Sequence, residues 1–471
     1  MTSKYYITTP IYYVNDVPHI GHTCTTVAAD ILARYHRLNG ENVFFLTGTD
    51  EHGAKVAQAA AKKDLTPEDF CNKISTRFQK TWENLNISND FFIRTTDPRH
   101  VKVASQLLKK IYENGDIYKD VYQGLYCIGC EKFLTESDLE DGHCPLHPPE
   151  QTINQKEENW FFRLSKYAPK LIELIENDET NYIYPEGKRR EVLAKLKAGI
   201  HDISFSRANV DWGIPIPWDK SQTIYVWVEA LINYYSATQF LENKEKFWPA
   251  DVHVLGKEIL WFHTAIWQAM LLSVGLPLPQ KTFVHSFYIM KDKKMSKSLG
   301  NLITPEELIS QFGIDGSRYL IASSFPAQND SNVSLKRYTK TYNADLANGL
   351  GNLVSRTANL AEKNDLKISP HKQVKFFNGI DKSINAFNLP KSLDIIWNTD
   401  KNSVSSINQR FTQEKVWELP EKKQQEVLRE IISDIQQITY NIKPFMPTTA
   451  KKIDKIFSGK VTAPDPLFPR L

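Results

Sequence analysis

His19-Ile20-Gly21-His22 follows Pro18 and a short apolar run, Tyr5 to Thr8, and leads into a stretch with helical spacing, Thr25 to Leu38. A Gly-His turn that closes a first strand and opens a helix is where an open parallel α/β sheet holds nucleotide phosphate. Unpaired backbone N–H groups and the helix dipole both favour an anion there. Read outward, residues 5 to 50 form one βαβ unit. From the strand Tyr5 to Thr8 a loop through Pro10 and Pro18 leads to a helix with Val27, Ile31, Leu32, Tyr35 and Leu38 on one face, then Gly40 and a second strand, Val43 to Leu46. The switch from short apolar runs to 3.6-residue spacing predicts a doubly wound sheet. The second strand ends in Thr47-Gly48-Thr49-Asp50-Glu51-His52-Gly53, at the edge where such sheets carry ligands. Asp50 there faces a substrate amine or ribose, or else caps the Ala-rich helix that follows.

At 471 residues the chain exceeds a single core and should divide into two to four domains. Its composition, 41% hydrophobic and 24% charged, is that of an ordinary globular protein. A net charge of +3 gives no global field for nucleic acid, so any RNA contact must come from local patches. The sequence opens without a leader or transit segment and has no apolar run of about 18 residues, which predicts a cytoplasmic protein that does not span a membrane.

Three of the five cysteines fall between residues 127 and 144, which reads as metal binding in place of disulfides. Cys127-Ile128-Gly129-Cys130 is followed, thirteen residues later, by Cys144-Pro145-Leu146-His147. Two ligand pairs on tight turns suit four-coordinate zinc with no open position, hence a structural Zn2+. His143 is a poorer substitute for His147. The surrounding stretch, Asp116 to Trp218, reads as polar and irregular. Strand and helix patterning resumes at Thr223 to Val228, Glu229 to Gln239, Val252 to Leu255, Ile259 to Val274 and Thr282 to Ile289. The expected organisation is therefore a Rossmann-like α/β catalytic domain in two halves (1–115 and 220–282), split by a zinc-knuckle connective insertion (116–219). A region carrying Lys294-Met295-Ser296-Lys297-Ser298 follows (283–340). Beyond about Thr339 no strand is expected, and residues 341–471 read as an α-helical bundle. In that bundle Leu346, Leu350, Leu353, Thr357 and Leu360 form an apolar stripe. Asn348, Asn352 and Arg356 form a polar line at i, i+4, i+8, either a solvated face or a set of base-edge readers.

Two histidines three apart, with two lysines supplied from the far half of the sheet, suit nucleotidyl transfer. Charge building on the phosphoryl oxygens and the departing pyrophosphate is stabilised by imidazole and ammonium donors without a protein nucleophile. Metal ligation and a capped turn are the other uses open to His19 and His22. Together, in this order, the two motifs resemble the signatures of class I aminoacyl-tRNA synthetases. Further landmarks resemble the methionyl-tRNA synthetase family over essentially the whole chain: Thr8 to Tyr13, Thr47 to Gly53, the single knuckle, Tyr225-Val226-Trp227, Gly256-Lys257-Glu258 and Gly351 to Arg356.

The resemblance implies an ATP-dependent, AMP-forming ligase that uses Mg2+ with ATP and charges tRNA(Met), initiator tRNA included, with L-methionine. By the same resemblance Ile11, Tyr13, Trp227, Ala230, Tyr234, Ile259 and His263 build the methionine pocket and Asp50 holds the ammonium. His19, Gly21, His22, Gly256, Glu258 and Arg207 bind ATP, and Lys294 and Lys297 clamp its phosphates. Asn348, Asn352, Arg356 and Trp417 read the anticodon. This chain has Val416 where the family usually has Pro, and Glu258 where it commonly has Asp. Synthetases for isoleucine, valine or leucine carry a larger insertion than roughly 100 residues, and a cysteine enzyme places zinc in the amino-acid pocket. A silent RNA-binding paralogue would have lost His19, His22 or Lys297. A monomer is expected, since the sequence shows no dimerisation domain after the bundle.

Overall fold

The computed structural model describes residues 3–129, 132–134, 136–177, 182–208, 210–290, 293–294, 302–369 and 375–471. Its centre is a six-stranded sheet in the order Phe91–Arg94, Asn42–Asp50, Lys4–Tyr13, Val252–Gly256, Lys281–His285, Tyr182–Tyr184. Every pairing in it is parallel. Side chains alternate between two covered faces, which is why these strands read as continuous apolar runs. Ile7, Phe45, Val254 and Phe283 pack on one face with the first helix, Ile20–Leu38, and with the C-terminal bundle in one core. Tyr6, Phe44, Leu46 and Val284 pack on the other face with the helices Pro98–Glu113 and Trp267–Val274. Strand order reverses between Lys4–Tyr13 and Val252–Gly256, so the ligand crevice of such a sheet lies at their carboxyl ends.

Three expectations change. The stretch from Asp116 is not irregular: Ile117–Cys127 and Thr152–Phe162 pair antiparallel along their full length, from Ile117 opposite Phe162 to Cys127 opposite Thr152. Much of this hairpin is wet, so its strands carry no apolar alternation to read. Tyr182–Tyr184, within the expected insertion, returns to the main sheet beside Lys281–His285, and three residues are too short for a period. In the C-terminal part the two-residue strands Lys367–Ile368 and Gly459–Lys460 pair where none was expected. Otherwise that part is helical, as expected, with a continuous run from Leu335–Thr341 through a π segment, Tyr342–Gly351, to Asn352–Lys363. Among the described residues no helix is long and apolar enough to cross a membrane.

One ion pair links these parts. Asp30 of the first helix and Arg318 of the helix Pro305–Ser323 meet at 2.6 Å with both side chains fully buried. Asp30 also accepts from Ser88 N, Ser88 Oγ and Arg34 Nε. Arg318 spends its other N–H groups on the carbonyls of Leu85, Pro444 and Phe445. Burial alone would raise the Asp30 pKa, but Arg318 and Arg34 outweigh it and hold the carboxyl below its usual range. Arg318→Met should leave the buried Asp30 carboxylate with Arg34 as its remaining cation and cost up to about 3–5 kcal/mol. Urea unfolding followed by tryptophan fluorescence measures this, and an unchanged midpoint would show that the pair does not stabilise the fold.

Candidate active site

The first strand shifts register between Thr8 and Ile11 against its neighbour. Such irregularities re-aim side chains next to sites, and here Ile11 and Tyr13 reach the crevice. There they line a cavity of about 310 Å³ together with His19, Gly21, His22 and Asp50. Trp227, Ala230, Tyr234, Gly256, Glu258, Ile259 and His263 line the same space.

His19 is the N-cap of the first helix, and its Nδ1 accepts from Gly21 N at 3.1 Å. His22 Nδ1 accepts from His19 N at 3.3 Å, so the two imidazoles form a reciprocal capping box. Their rings stack at 3.8 Å. With both Nδ1 atoms accepting, a neutral ring carries its proton on Nε2. Burial, with His19 beside it, pushes the His22 pKa well below the usual imidazole value. The capped turn and the cavity wall are therefore one feature. A Cβ at Gly21 would come within 2.9 Å of His19 Cε1, so a larger residue there would push the His19 ring out of its capping position.

Asp50 closes the second strand, is almost wholly buried and lines the cavity. The next helix, Ala54–Ala61, is preceded by Gly53 as N-cap, so Asp50 does not cap it. On the opposite wall Tyr234 Oη and His263 Nε2 lie 2.7 Å apart, and His263 Nδ1 faces the Ile259 carbonyl at 2.9 Å. Trp227 stacks on Phe262 at 4.5 Å. The stretch expected as one helix from Ile259 to Val274 contains a π segment, Phe262–Ile266, ahead of Trp267–Val274. Such widened turns recur at functional sites, and this one carries His263. Beneath Trp227 and Ala230, Glu229 is fully buried between His52 Nδ1 at 2.7 Å and His100 Nε2 at 3.0 Å. Burial opposes its ionisation, but the two histidines reverse that and hold its pKa low.

Arg207 is not brought to the cavity wall. Its guanidinium lies over the Tyr225 ring at 3.9 Å and donates to Ser204 Oγ and the Ser206 carbonyl. Lys294 lies in the strand Lys293–Lys294, which pairs with Tyr288–Met290; Lys297 lies outside the described residues. The sequence reading missed His285, Ser286 and Phe287, which also line the cavity. His285 Nε2 contacts Thr25 Oγ1 at 2.7 Å. Its place at the carboxyl end of a central strand was the available signal.

Away from the cavity, Cys127, Cys144 and His147 form a group whose ligand atoms lie within 4.8 Å of one another, and Cys130 is outside the described residues. His147 Nδ1 is 3.5 Å from Cys127 Sγ and 3.6 Å from Cys144 Sγ. Zn–S and Zn–N bonds of ordinary length at a tetrahedral angle put S and N about 3.5 Å apart, so the residues fit a metal. A Cβ at Gly129 would sit 2.2 Å from His147 Cδ2, so the turn between the first two expected ligands must be glycine.

In the bundle Asn348 and Asn352 are exposed, and Arg356 lies over the Phe411 ring at 4.2 Å and within 5.6 Å of Trp417. Trp417 is 45% exposed. Asn348 Oδ1 accepts from Arg470 Nε and Nη2 at 2.9 and 2.7 Å. The polar line is thus a surface in which Arg356 and Trp417 meet.

The family model for class I tRNA synthetases (M) matches residues 5–152 and 138–358. Methionine–tRNA ligase of Caldanaerobacter subterraneus subsp. tengcongensis is 42% identical over 96% of this chain and 74% of its own. That of Thermotoga maritima is 40% identical over the same shares of the two chains. Among solved structures, Mycobacterium tuberculosis methionyl-tRNA synthetase in complex with methionyl-adenylate superposes with a TM-score of 0.91 at 33% identity, covering 100% of both chains. With a phosphate-type turn and a buried carboxylate facing one cavity at the switch point of the sheet, and with these matches along its length, the chain belongs to the methionyl-tRNA synthetases of class I.

Proposed function

We propose that the cavity binds L-methionine and ATP, joins them as methionyl-adenylate with release of pyrophosphate, and passes the methionyl group to tRNA(Met), initiator tRNA included. The observation that carries this reading is the meeting, in one cavity, of the His19–His22 turn with Asp50 and the Tyr234–His263 pair. Asp50 takes the substrate ammonium, leaving the carboxylate directed at the nucleotide. A carboxylate oxygen attacks the α-phosphorus, the bond to the β-phosphate oxygen breaks, and pyrophosphate leaves. His19 and His22 donate from Nε2 to the phosphoryl oxygens, where negative charge grows. Gly21 lets the backbone approach the phosphates, Gly256 and Glu258 lie near the ribose, and Lys294 and Lys297 supply positive charge. Mg2+ bound with ATP would neutralise charge on the phosphates. The 2′-hydroxyl of the terminal tRNA adenosine then attacks the carbonyl carbon and AMP leaves.

Ile11, Tyr13, Trp227, Ala230 and Ile259 enclose the methionine side chain. His263 Nδ1–H donates to the Ile259 carbonyl, so Nε2 accepts from the Tyr234 hydroxyl and the pair is satisfied internally. A soft thioether suits this neutral aromatic end, where a charged side chain would be stranded. In the bundle Asn348, Asn352 and Arg356 read base edges. Trp417, held with Arg356, offers a stacking face of the kind that contributes about 1–3 kcal/mol per base. Cys127, Cys130, Cys144 and His147 hold a structural Zn2+ that braces the knuckle, which has little apolar material of its own. The protein acts in the cytoplasm.

ATP–pyrophosphate exchange tested with each of the twenty amino acids, without tRNA, should respond to methionine alone; exchange with another amino acid would overturn the pocket. Protein purified without chelator should contain one zinc per chain and lose it on Cys144→Ser, and its absence by metal analysis would sink the knuckle reading. Burial pushes the His263 pKa from 6.5 down to about 4. The neutral ring therefore contributes stability that is fully present above about pH 6.5 and is lost as pH falls towards 4. The stability gap between wild type and His263→Gln should narrow across that window, and a constant gap would refute the assignment.

A further inference from the structure

The helix Ala54–Ala61, the turn after it and the helix Pro67–Asn84 enclose a second concavity of about 650 Å³, outside the cavity described above. Its wall holds five cations, Lys55, Lys62, Lys63, Lys73 and Arg77, and a single carboxylate, Asp16. For a chain whose net charge is only +3, this is a strong local concentration of one sign. Lys62, Lys63, Lys73 and Arg77 are exposed and have no ion-pair partner among the described residues. Lys73 and Arg77 stand at i and i+4, on one face of their helix. The floor is apolar, with Leu65, Phe70 and Ile74. Like charges gathered around a rigid floor repel one another, and a polyanion relieves that repulsion.

The position of this basin narrows the ligand. Asn15, Asp16 and Val17 form its rim, while Tyr13 on one side and His19 on the other line the active-site cavity. Val17 and His19 are two residues apart, so their Cα atoms lie within about 7 Å. Lys55 Nζ donates to the Gly129 carbonyl, so the basin also abuts the metal-binding knuckle. A nucleic-acid strand whose terminal sugar reacts in the cavity must cross the surface beside it. We infer that this basin seats backbone phosphates of the tRNA near its 3′ end, an inference that rests on the function proposed above. Lysine and arginine side chains used in this way position a strand without reading its sequence.

The test compares wild type with the triple variant Lys62→Gln, Lys63→Gln, Lys73→Gln and with the corresponding triple Lys→Arg variant. Methionine-dependent pyrophosphate exchange and tRNA charging are measured for each at several salt concentrations. The glutamine variant should keep wild-type exchange, raise KM for tRNA about 10-fold, and flatten the salt dependence of log(kcat/KM) by about 0.7 for each phosphate no longer neutralised. The arginine variant should restore both. Unchanged tRNA KM and salt slope in the glutamine variant would overturn the inference. So would a second pattern, in which inorganic tripolyphosphate alters exchange in wild type but not in the variant while tRNA KM stays fixed, since the basin would then serve a free polyphosphate. Absence of methionine-dependent exchange in wild type would instead overturn the proposed function.

Discussion

Asp30 and Arg318 sit opposite one another where water does not reach, and neither tolerates being there alone. A buried pair of this kind contributes little net stability compared with a well-packed apolar pair, yet it favours one arrangement, because Arg318 reaches Asp30 from a separate helix while Arg34 pairs with it from within its own. Asp30 belongs to the helix whose first turn is His19–His22, and Arg318 reaches the carbonyls of Pro444 and Phe445 at the end of a bundle helix. The register between that turn and the bundle is therefore fixed by electrostatics as well as packing. Leu85 and Ser88, bonded to the same pair, bring the chain after the helix Pro67–Asn84 into that register.

Around this anchor the site follows from backbone geometry more than from unusual side chains. Four strand ends at the switch point deliver Tyr13, Asp50, Gly256 and His285 to one space. A capping box made from imidazoles places two donors at a helix N-terminus, and a π segment turns His263 toward Tyr234. Behind the wall, Glu229, hydrogen-bonded to His52 and His100, supports the segment that carries Trp227 and Ala230.

The first βαβ unit was legible because both periods are present in residues 5 to 50, and the His19–His22 turn announces itself by position. Asp50 was ambiguous in sequence because a strand end and an N-cap can differ by three residues; Gly53, at φ 106°, takes the cap. The long hairpin, Ile117–Cys127 with Thr152–Phe162, was illegible because strands wet on much of both faces have no hydrophobic alternation. Tyr182–Tyr184 was too short to show a period. Trp417 looked insecure beside Val416, yet Val416 is buried and Trp417 turns outward toward Arg356, a division between neighbours that only the three-dimensional path reveals. Arg207 illustrates the converse: a good motif match whose guanidinium is occupied with Tyr225 and Ser206.

One face of the central sheet and the C-terminal helices share a single core, in which Ile7 and Phe45 belong with Leu346, Ile396 and Ile435. The segment proposed to read RNA is therefore no bead on a string. Exchanging it for another reader would expose the underside of the nucleotide-binding half, so the two must drift in concert, each change of volume on one side constrained by the side chains opposite. Innovation in such a chain is easiest at its periphery, on the wet faces of the hairpin and in loops at the sheet edge, where a residue can change without a counterpart answering it.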